Sequence, residues 1–268
     1  MRTPRILVAC EYSGMVRDAF AARGWDAWSC DLLESERPGG QHYQGDVRDI
    51  LQEGWDGMVG HPDCTYLTNS GAKWLYEEWT QEERFEHVAL YLEANGMTET
   101  FNSWTAKQQA KFIKRIGKTL AGHSPRPDLE RWRKLEEAAA FYRLLWEQDH
   151  IPYIALENPV MHGHAIKRVG GRATQFVQPY EYGTPESKRT GLRLKNLPKL
   201  TPNEGWEEVL AYGKTLPKKV FERVHNLPPS PTRWKERSRT FPGIAQAMAD
   251  QWGPYIEARI AAEEEQAA

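Results

Sequence analysis

The chain has 268 residues, 40% of them hydrophobic, with a formal net charge of −2, enough apolar material for one large domain or a domain with a smaller lobe. No apolar run approaches the ~20 residues of a membrane span, and the start MRTPRILVACEYSG reads as a strand instead of a secretory leader, so a cytoplasmic, membrane-free protein is expected. Its three cysteines, Cys10, Cys30 and Cys64, form no CxxC pair, which argues against a disulfide framework and a zinc site.

ILVAC (6–10) is a continuous apolar run ended by a Ser-Gly turn, and VRDAFAARG (16–24) has helical spacing with a glycine stop. WDAWSCD (25–31) reads as a second strand ending in an acid, GDVRDI (45–50) follows, and WDGMVG (55–60) is a short strand that runs into GHPDCTYLTNSG. Residues 76–128 read as an inserted helical subdomain beside that loop, carrying the basic run KFIKRIGK (111–118). LERWRKLEEAAAFYRLLWEQ (129–148) is an amphipathic helix feeding the strand IPYIALENP (151–159). Strand, loop, helix, strand and acid open a doubly wound parallel sheet, in which ligands gather at the carboxyl ends of strands. Gly14, Asp31, Asp46, Cys64 and Glu157 all fall at such ends.

The first loop, CEYSGMVRD, lacks the three glycines that let a dinucleotide pyrophosphate approach the backbone. A cofactor without phosphates fits better, and S-adenosylmethionine is the commonest such ligand on this architecture. Asp31 stands where an acid takes ribose hydroxyls, or where it caps a loop; spacing alone does not choose. Cys10 and Cys30 read as buried strand thiols, and His162 and His164 in MHGHA lack the carboxylate or thiol company of a metal site. Trp74, Trp79 and Trp104 are candidates to stack on bases.

Six motifs in order resemble the cytosine-C5 DNA methyltransferases, particularly the short bacteriophage and prophage forms: EYSGMVRDAF, SCDL, GDVRDI, HPDCTYLTNSG, ALENPVMHG and YEYGTPESKRTGLRL, with SRTFPGIAQAMADQWG resembling the last motif of that family. The resemblance covers most of the chain except roughly 76–128 and implies a Rossmann-like class I S-adenosylmethionine-dependent methyltransferase fold with a helical insertion and a small C-terminal lobe. The expected parts are a catalytic core at 1–75 and 129–190, the insertion at 76–128, a recognition lobe at 191–235, and a helix at 236–268 returning to the core.

By the same resemblance, Cys64 adds to C6 of cytosine while Glu157, with Asn158, stabilises the ring charge, and Lys188 and Arg189 orient the base. A thiolate is the suitable nucleophile because it is soft and accessible near neutrality, and a raised pKa at Glu157 would help it donate a proton. Glu11, Tyr12, Ser13, Gly14, Asp31, Leu32, Asp46, Val47, Pro62 and Arg239 are implied to line the cofactor site. Thr68 and Ser70 are implied to face DNA, whose target cytosine must be flipped from the stack. Lys111, Lys114, Arg115 and Lys118, spaced three, four and seven apart, share one helix face suited to phosphates. A monomer acting on DNA is the first expectation. The rivals are a free deoxycytidine nucleotide as substrate, a donor of something other than plain methyl, and a non-catalytic DNA-binding protein that keeps the fold.

Three departures stand out. Asp63 precedes Cys64 where proline is usual, and its charge should raise the thiol pKa. The strand that usually reads Gln-Arg-Arg-Arg is Glu186-Ser-Lys-Arg-Thr190, poorer in cations, and the proline-punctuated lobe before the last motif is small.

Overall fold

The computed structural model describes residues 2–77, 80–120 and 126–267. Its centre is a sheet in which, among the described residues, seven strands run in the order β3-β2-β1-β4-β5-β7-β6. These are β1 (Arg5–Ala9), β2 (Asp26–Asp31), β3 (Gln41–Gln44), β4 (Gly57–Gly60), β5 (Tyr153–Pro159), β6 (Gln175–Val177) and β7 (Thr190–Lys195). The first five are parallel, whereas β7 lies antiparallel between β5 and β6. This is the Rossmann-like α/β arrangement of the class I methyltransferase fold. The central strands β1 and β4 are apolar on both faces because helices cover both sides. The short strands β3 and β6 have no counterpart in the sequence reading: three or four residues with polar members give too little alternation to register.

On one face, α1 (Met15–Ala21) packs against the long α11 (Pro242–Ala267), with Val16, Phe20, Met248 and Trp252 in one core. On the other, α5 (Leu129–Trp146) and α6 (Gly163–Val169) bury Leu135, Tyr142, Leu145 and Val169. The intervening segment forms α2 (Gln81–Ala94), α3 (Thr98–Asn102) and α4 (Ala106–Leu120), whose residues Val88, Leu92, Phe112 and Ile116 make a separate small core. After β7 come α7 (Trp206–Thr215), α8 (Lys218–Phe221), α9 (Arg223–Asn226) and α10 (Arg233–Ser238). The lobe boundary expected at 191 therefore falls inside β7: residues 191–195 are sheet, because Leu192 and Leu194 alternate into β5 and the core.

Candidate active site

β4 and β5 are parallel neighbours, with Gly60 opposite Leu156, so the chain leaving β4 and the end of β5 emerge at one edge of the sheet. A Cβ on Gly60 would lie 2.6 Å from Leu156 Cδ2 and would push that side chain aside. Cys64 opens a turn, its carbonyl accepting from Leu67 N (3.0 Å) and Thr68 N (3.1 Å). Asp63 Oδ1 accepts from Thr65 N (2.9 Å) and Thr65 Oγ1 (2.6 Å), an Asx turn that spends the carboxylate on the loop itself. The loop is then sewn to the segment after β5: Asn69 N donates to Val160 O, and His162 N to Leu67 O. His162 uses both ring nitrogens structurally, Nδ1 accepting from Ala165 N (3.1 Å) and Nε2 donating to Tyr66 O (2.9 Å), and burial lowers its pKa.

Glu157, His61, Thr190 and Lys188 converge here. Glu157, with 15% of its side chain exposed, has Oε2 3.7 Å from His61 Nδ1. Thr190, opposite Pro159 at the start of β7, and Lys188 face the same carboxylate. Burial by itself would raise the Glu157 pKa, but the His61 contact, the Lys188 charge and Thr190 together outweigh it and hold the acid below its ordinary value. The raised pKa that would help Glu157 donate a proton is therefore not found. At 3.7 Å the His61 contact is electrostatic and not a formed hydrogen bond. Cys64 moves the other way: burial, then the charges of Glu157 and Asp63, push its thiol up to about 12, against partial relief from Lys188 and Arg237. At rest the proton sits on sulfur and the charge on Glu157.

Two expected members stand away from this group. Arg189, just before β7, is exposed and lies over the Phe176 ring at 4.1 Å, on the opposite side of the chain from Lys188 and Thr190. Asn158 alternates to the α5 and α6 face, beside Leu156 and Tyr142.

The first loop begins with Cys10 in the left-handed region (φ 58°) and ends with Gly14 (φ 68°) ahead of α1. Glu11 turns inward and caps that helix, accepting from Val16 N (2.8 Å), Arg17 N (3.3 Å) and Ser13 Oγ (3.1 Å). The side chains of Glu11 and Ser13 therefore shape the loop and are not free for a ligand. Asp31 ends β2 with Oδ1 on Leu33 N (2.9 Å), and burial raises its pKa. The next residue, Leu32, is 73% exposed, an apolar side chain held out at a strand end. Asp46 caps the turn after β3 and pairs with Arg48 at 2.7 Å, while Val47 is buried. Pro62 is buried at the end of β4.

Over this loop lies the segment 233–239. Tyr12 OH donates to Lys235 O (2.7 Å) and lies 3.1 Å from Ser238 Oγ. Arg239 grips Glu36 with two hydrogen bonds of 2.9 and 2.7 Å, and its carbonyl accepts from Lys188 Nζ (3.4 Å). Arg239 is thus a strap between loops. His61, Thr190 and Arg237 were missed in the sequence. His61 carried a signal, being titratable and three residues before the cysteine, whereas only the fold brings Arg237 to Cys64.

Of the remaining candidates, Thr68 and Ser70 are joined hydroxyl to hydroxyl at 3.1 Å at the rim. Lys111, Lys114 and Arg115 are exposed on α4, with the Arg115 guanidinium 5.2 Å from the centre of the buried Phe112 ring, while the side chain of Lys118 lies outside the described residues. Trp74 is 46% exposed beside Lys73. Trp104 packs edge-on against Phe112 at 5.3 Å in the insertion core, and Trp79 lies outside the described residues.

No family model and no curated protein matches the chain. Among solved structures, a protein described as a candidate DNA modification methyltransferase encoded within an E. coli prophage aligns over 75% of this chain and 51% of its own, at 14% identity and a TM-score of 0.39. A triple mutant of DNMT2 from Spodoptera frugiperda aligns over 75% of this chain and 54% of its own, at 12% identity and a TM-score of 0.32. The chain spans about half the length of these structures.

Proposed function

We propose that the protein transfers a methyl group from S-adenosylmethionine to C5 of a cytosine in DNA, through a covalent adduct of Cys64. The observation that carries this reading is the placing of Cys64 and Glu157 at the ends of adjacent parallel strands, with Lys188 facing both.

The first loop suits the cofactor. Asp31 Oδ1 is held by Leu33 N, an arrangement that leaves the carboxylate's other oxygen for ribose hydroxyls, and Leu32 offers an apolar surface to a flat heterocycle. When bound, S-adenosylmethionine supplies the electrophilic methyl that C5 takes up. The chain's own groups do the rest. Cytosine C5 is a poor nucleophile until sulfur adds at C6 and breaks the conjugation. The thiol proton must leave as the S–C6 bond forms, and N3 of the ring must gain one as electron density reaches it. Glu157, charged at rest, is the relay: it accepts the proton on one side and delivers it on the other. Lys188 balances the carboxylate and the developing thiolate, and His61 fixes the carboxylate in place. Loss of the C5 proton to solvent then expels the sulfur as thiolate, and the N3 proton returns to it through Glu157, which restores the ring.

DNA carrying 5-fluorocytosine tests this, because fluorine blocks the final elimination. With S-adenosylmethionine the protein should form a denaturation-resistant complex that Cys64→Ser does not form. Equal trapping by Cys64→Ser would sink the assignment. The small lobe after β7 favours a second reading, a free deoxycytidine nucleotide as substrate. Trapping of 5-fluorodeoxycytidine monophosphate but not of DNA would select it.

A further inference from the structure

The turn of Asn158 away from Glu157 gives it a cavity of its own. On the α5 and α6 face of β5, a space of about 130 Å³ is lined by Tyr142, Leu156, Asn158, Met161, Arg172 and Phe176, among others. Asn158 is 3% exposed, and neither Oδ1 nor Nδ2 has a hydrogen-bond partner among the described residues. A buried amide left unmet is costly, and native interiors seldom keep one without a use. The remaining walls combine apolar side chains and the aromatic rings of Tyr142 and Phe176 with Arg193, whose guanidinium donates to Val169 O and Gly170 O.

Size and chemistry narrow the occupant. An apolar cavity of ~150 Å³ holds one benzene-sized ring, so the space takes a single six-membered ring and not a fused purine. An amide offers a donor beside an acceptor, and it is met in full by a ring edge that presents the same pair in reverse. N3 and the N4 amino group of cytosine do this, as do O4 and N3–H of thymine. The mouth is marked by Phe176, 39% exposed, with the Arg189 guanidinium 4.1 Å from its ring centre. Arg172 lines the same space and has no ion pair among the described residues.

We propose that this cavity is a pyrimidine-nucleotide subsite, distinct from the Cys64 site, in which Asn158 reads the base edge, Phe176 packs on the ring, and Arg172 with Arg189 receives the phosphate. The nucleotide comes either from a DNA strand or from the free pool, and the recognition chemistry is the same for both. The subsite lies on the face of β5 to which Asn158 turns, opposite the Glu157 carboxylate, and does not depend on the chemistry at Cys64.

Crystals soaked in 5-bromo-2′-deoxycytidine monophosphate test the proposal directly, since the anomalous signal of bromine locates each bound ring. A peak beside Asn158 is expected in the parent and in Cys64→Ser, and none in Asn158→Leu, which keeps the volume but loses the polar edge. In solution, Asn158→Leu should weaken deoxycytidine monophosphate binding at this site by about tenfold or more, the scale of one lost bidentate base contact. Phe176→Ala, at the exposed mouth where folding is not at risk, should weaken it in the same direction. Glu157→Gln, confined to the Cys64 site, should leave the cavity peak in place, so failure here and failure of the methyl-transfer reading are separable. A pyrimidine oligonucleotide that displaces the mononucleotide at lower concentration assigns the strand as source; one that does not assigns the free nucleotide. Ordered water alone around Asn158, or equal binding of a purine monophosphate, would overturn the proposal.

Discussion

The Nδ1 atom of His61 lies 3.7 Å from Oε2 of Glu157, and neither ring nitrogen of this buried histidine has a hydrogen-bond partner among the described residues. The contact is the largest influence lowering the Glu157 pKa against burial. Replacing His61 by Ala should therefore let burial prevail and raise that pKa. Because Glu157 must be charged to accept the thiol proton, the acid limb of the pH–activity profile should move to higher pH. An unshifted limb with reduced activity would mean that His61 acts otherwise.

The Cys64 thiol, pushed up to about 12, should be sluggish toward neutral alkylating reagents at pH 7. Its rate should climb about tenfold per pH unit over the accessible range, because only the thiolate reacts. Asp63→Asn keeps the Asx turn to Thr65 and removes one like charge, so it should speed alkylation several-fold at fixed pH. Mass spectrometry of the Cys64 peptide measures this, and an unchanged rate would show that Asp63 does not tune the thiol.

Stability should fall on the alkaline side. Burial raises the pKa of Cys10, Cys30 and Cys64 above that of an ordinary thiol, the last two to about 12. A group raised on folding contributes stability that is complete below its unfolded pKa and is lost as pH rises through and beyond it. Thermal midpoints should therefore be flat up to about pH 8 and decline above about pH 9. Cys30→Ala, if it folds, should shallow that decline; an identical slope would place its origin elsewhere.

Asp31→Ala should weaken S-adenosylmethionine by ~1–3 kcal/mol, the scale of lost charge-assisted hydrogen bonds, with the fold intact by circular dichroism. Calorimetry reads the affinity. Unchanged binding would remove Asp31 from the cofactor site.

Lys111 and Lys114 share the exposed face of α4. If that face tracks a duplex, replacing both by Ala should weaken binding to unrelated sequences and flatten the salt dependence by up to ~0.9 per lost phosphate contact. Cofactor affinity should not move. No change in the salt slope would make the face an ordinary solvated one.

The sheet was legible because its strands are continuous apolar runs closed by Gly, Asp or Pro. Ile6–Ala9, Met58–Val59 and Ile154–Leu156 could scarcely be anything but buried strands. Glu157 and Cys64 were legible as strand-end residues in a familiar order. What the sequence concealed depends on direction. Adjacent residues such as Glu157 and Asn158, or Lys188 and Arg189, look like pairs on the page but point to opposite faces in an extended chain. The same holds for Glu11, a carboxylate in a ligand loop whose partners are the backbone amides of the helix that follows. His61 was overlooked for want of a partner nearby in sequence; Glu157 lies far along the chain and becomes its neighbour only through the pairing of β4 with β5.

The strap from Tyr12 and Glu36 to Lys235 and Arg239 also sets an order of events during synthesis. The loop that follows β1 leaves the ribosome well before the residues that cover it, which are made some two hundred positions later. Until Met248 and Trp252 emerge, Val16 and Phe20 on α1 have no apolar surface from α11 to pack against. Long-range closure of this kind is slow and leaves apolar surface exposed meanwhile. A nascent chain stalled before α10 should therefore hold chaperones on the segment around β1 and α1, and release them when α11 is complete.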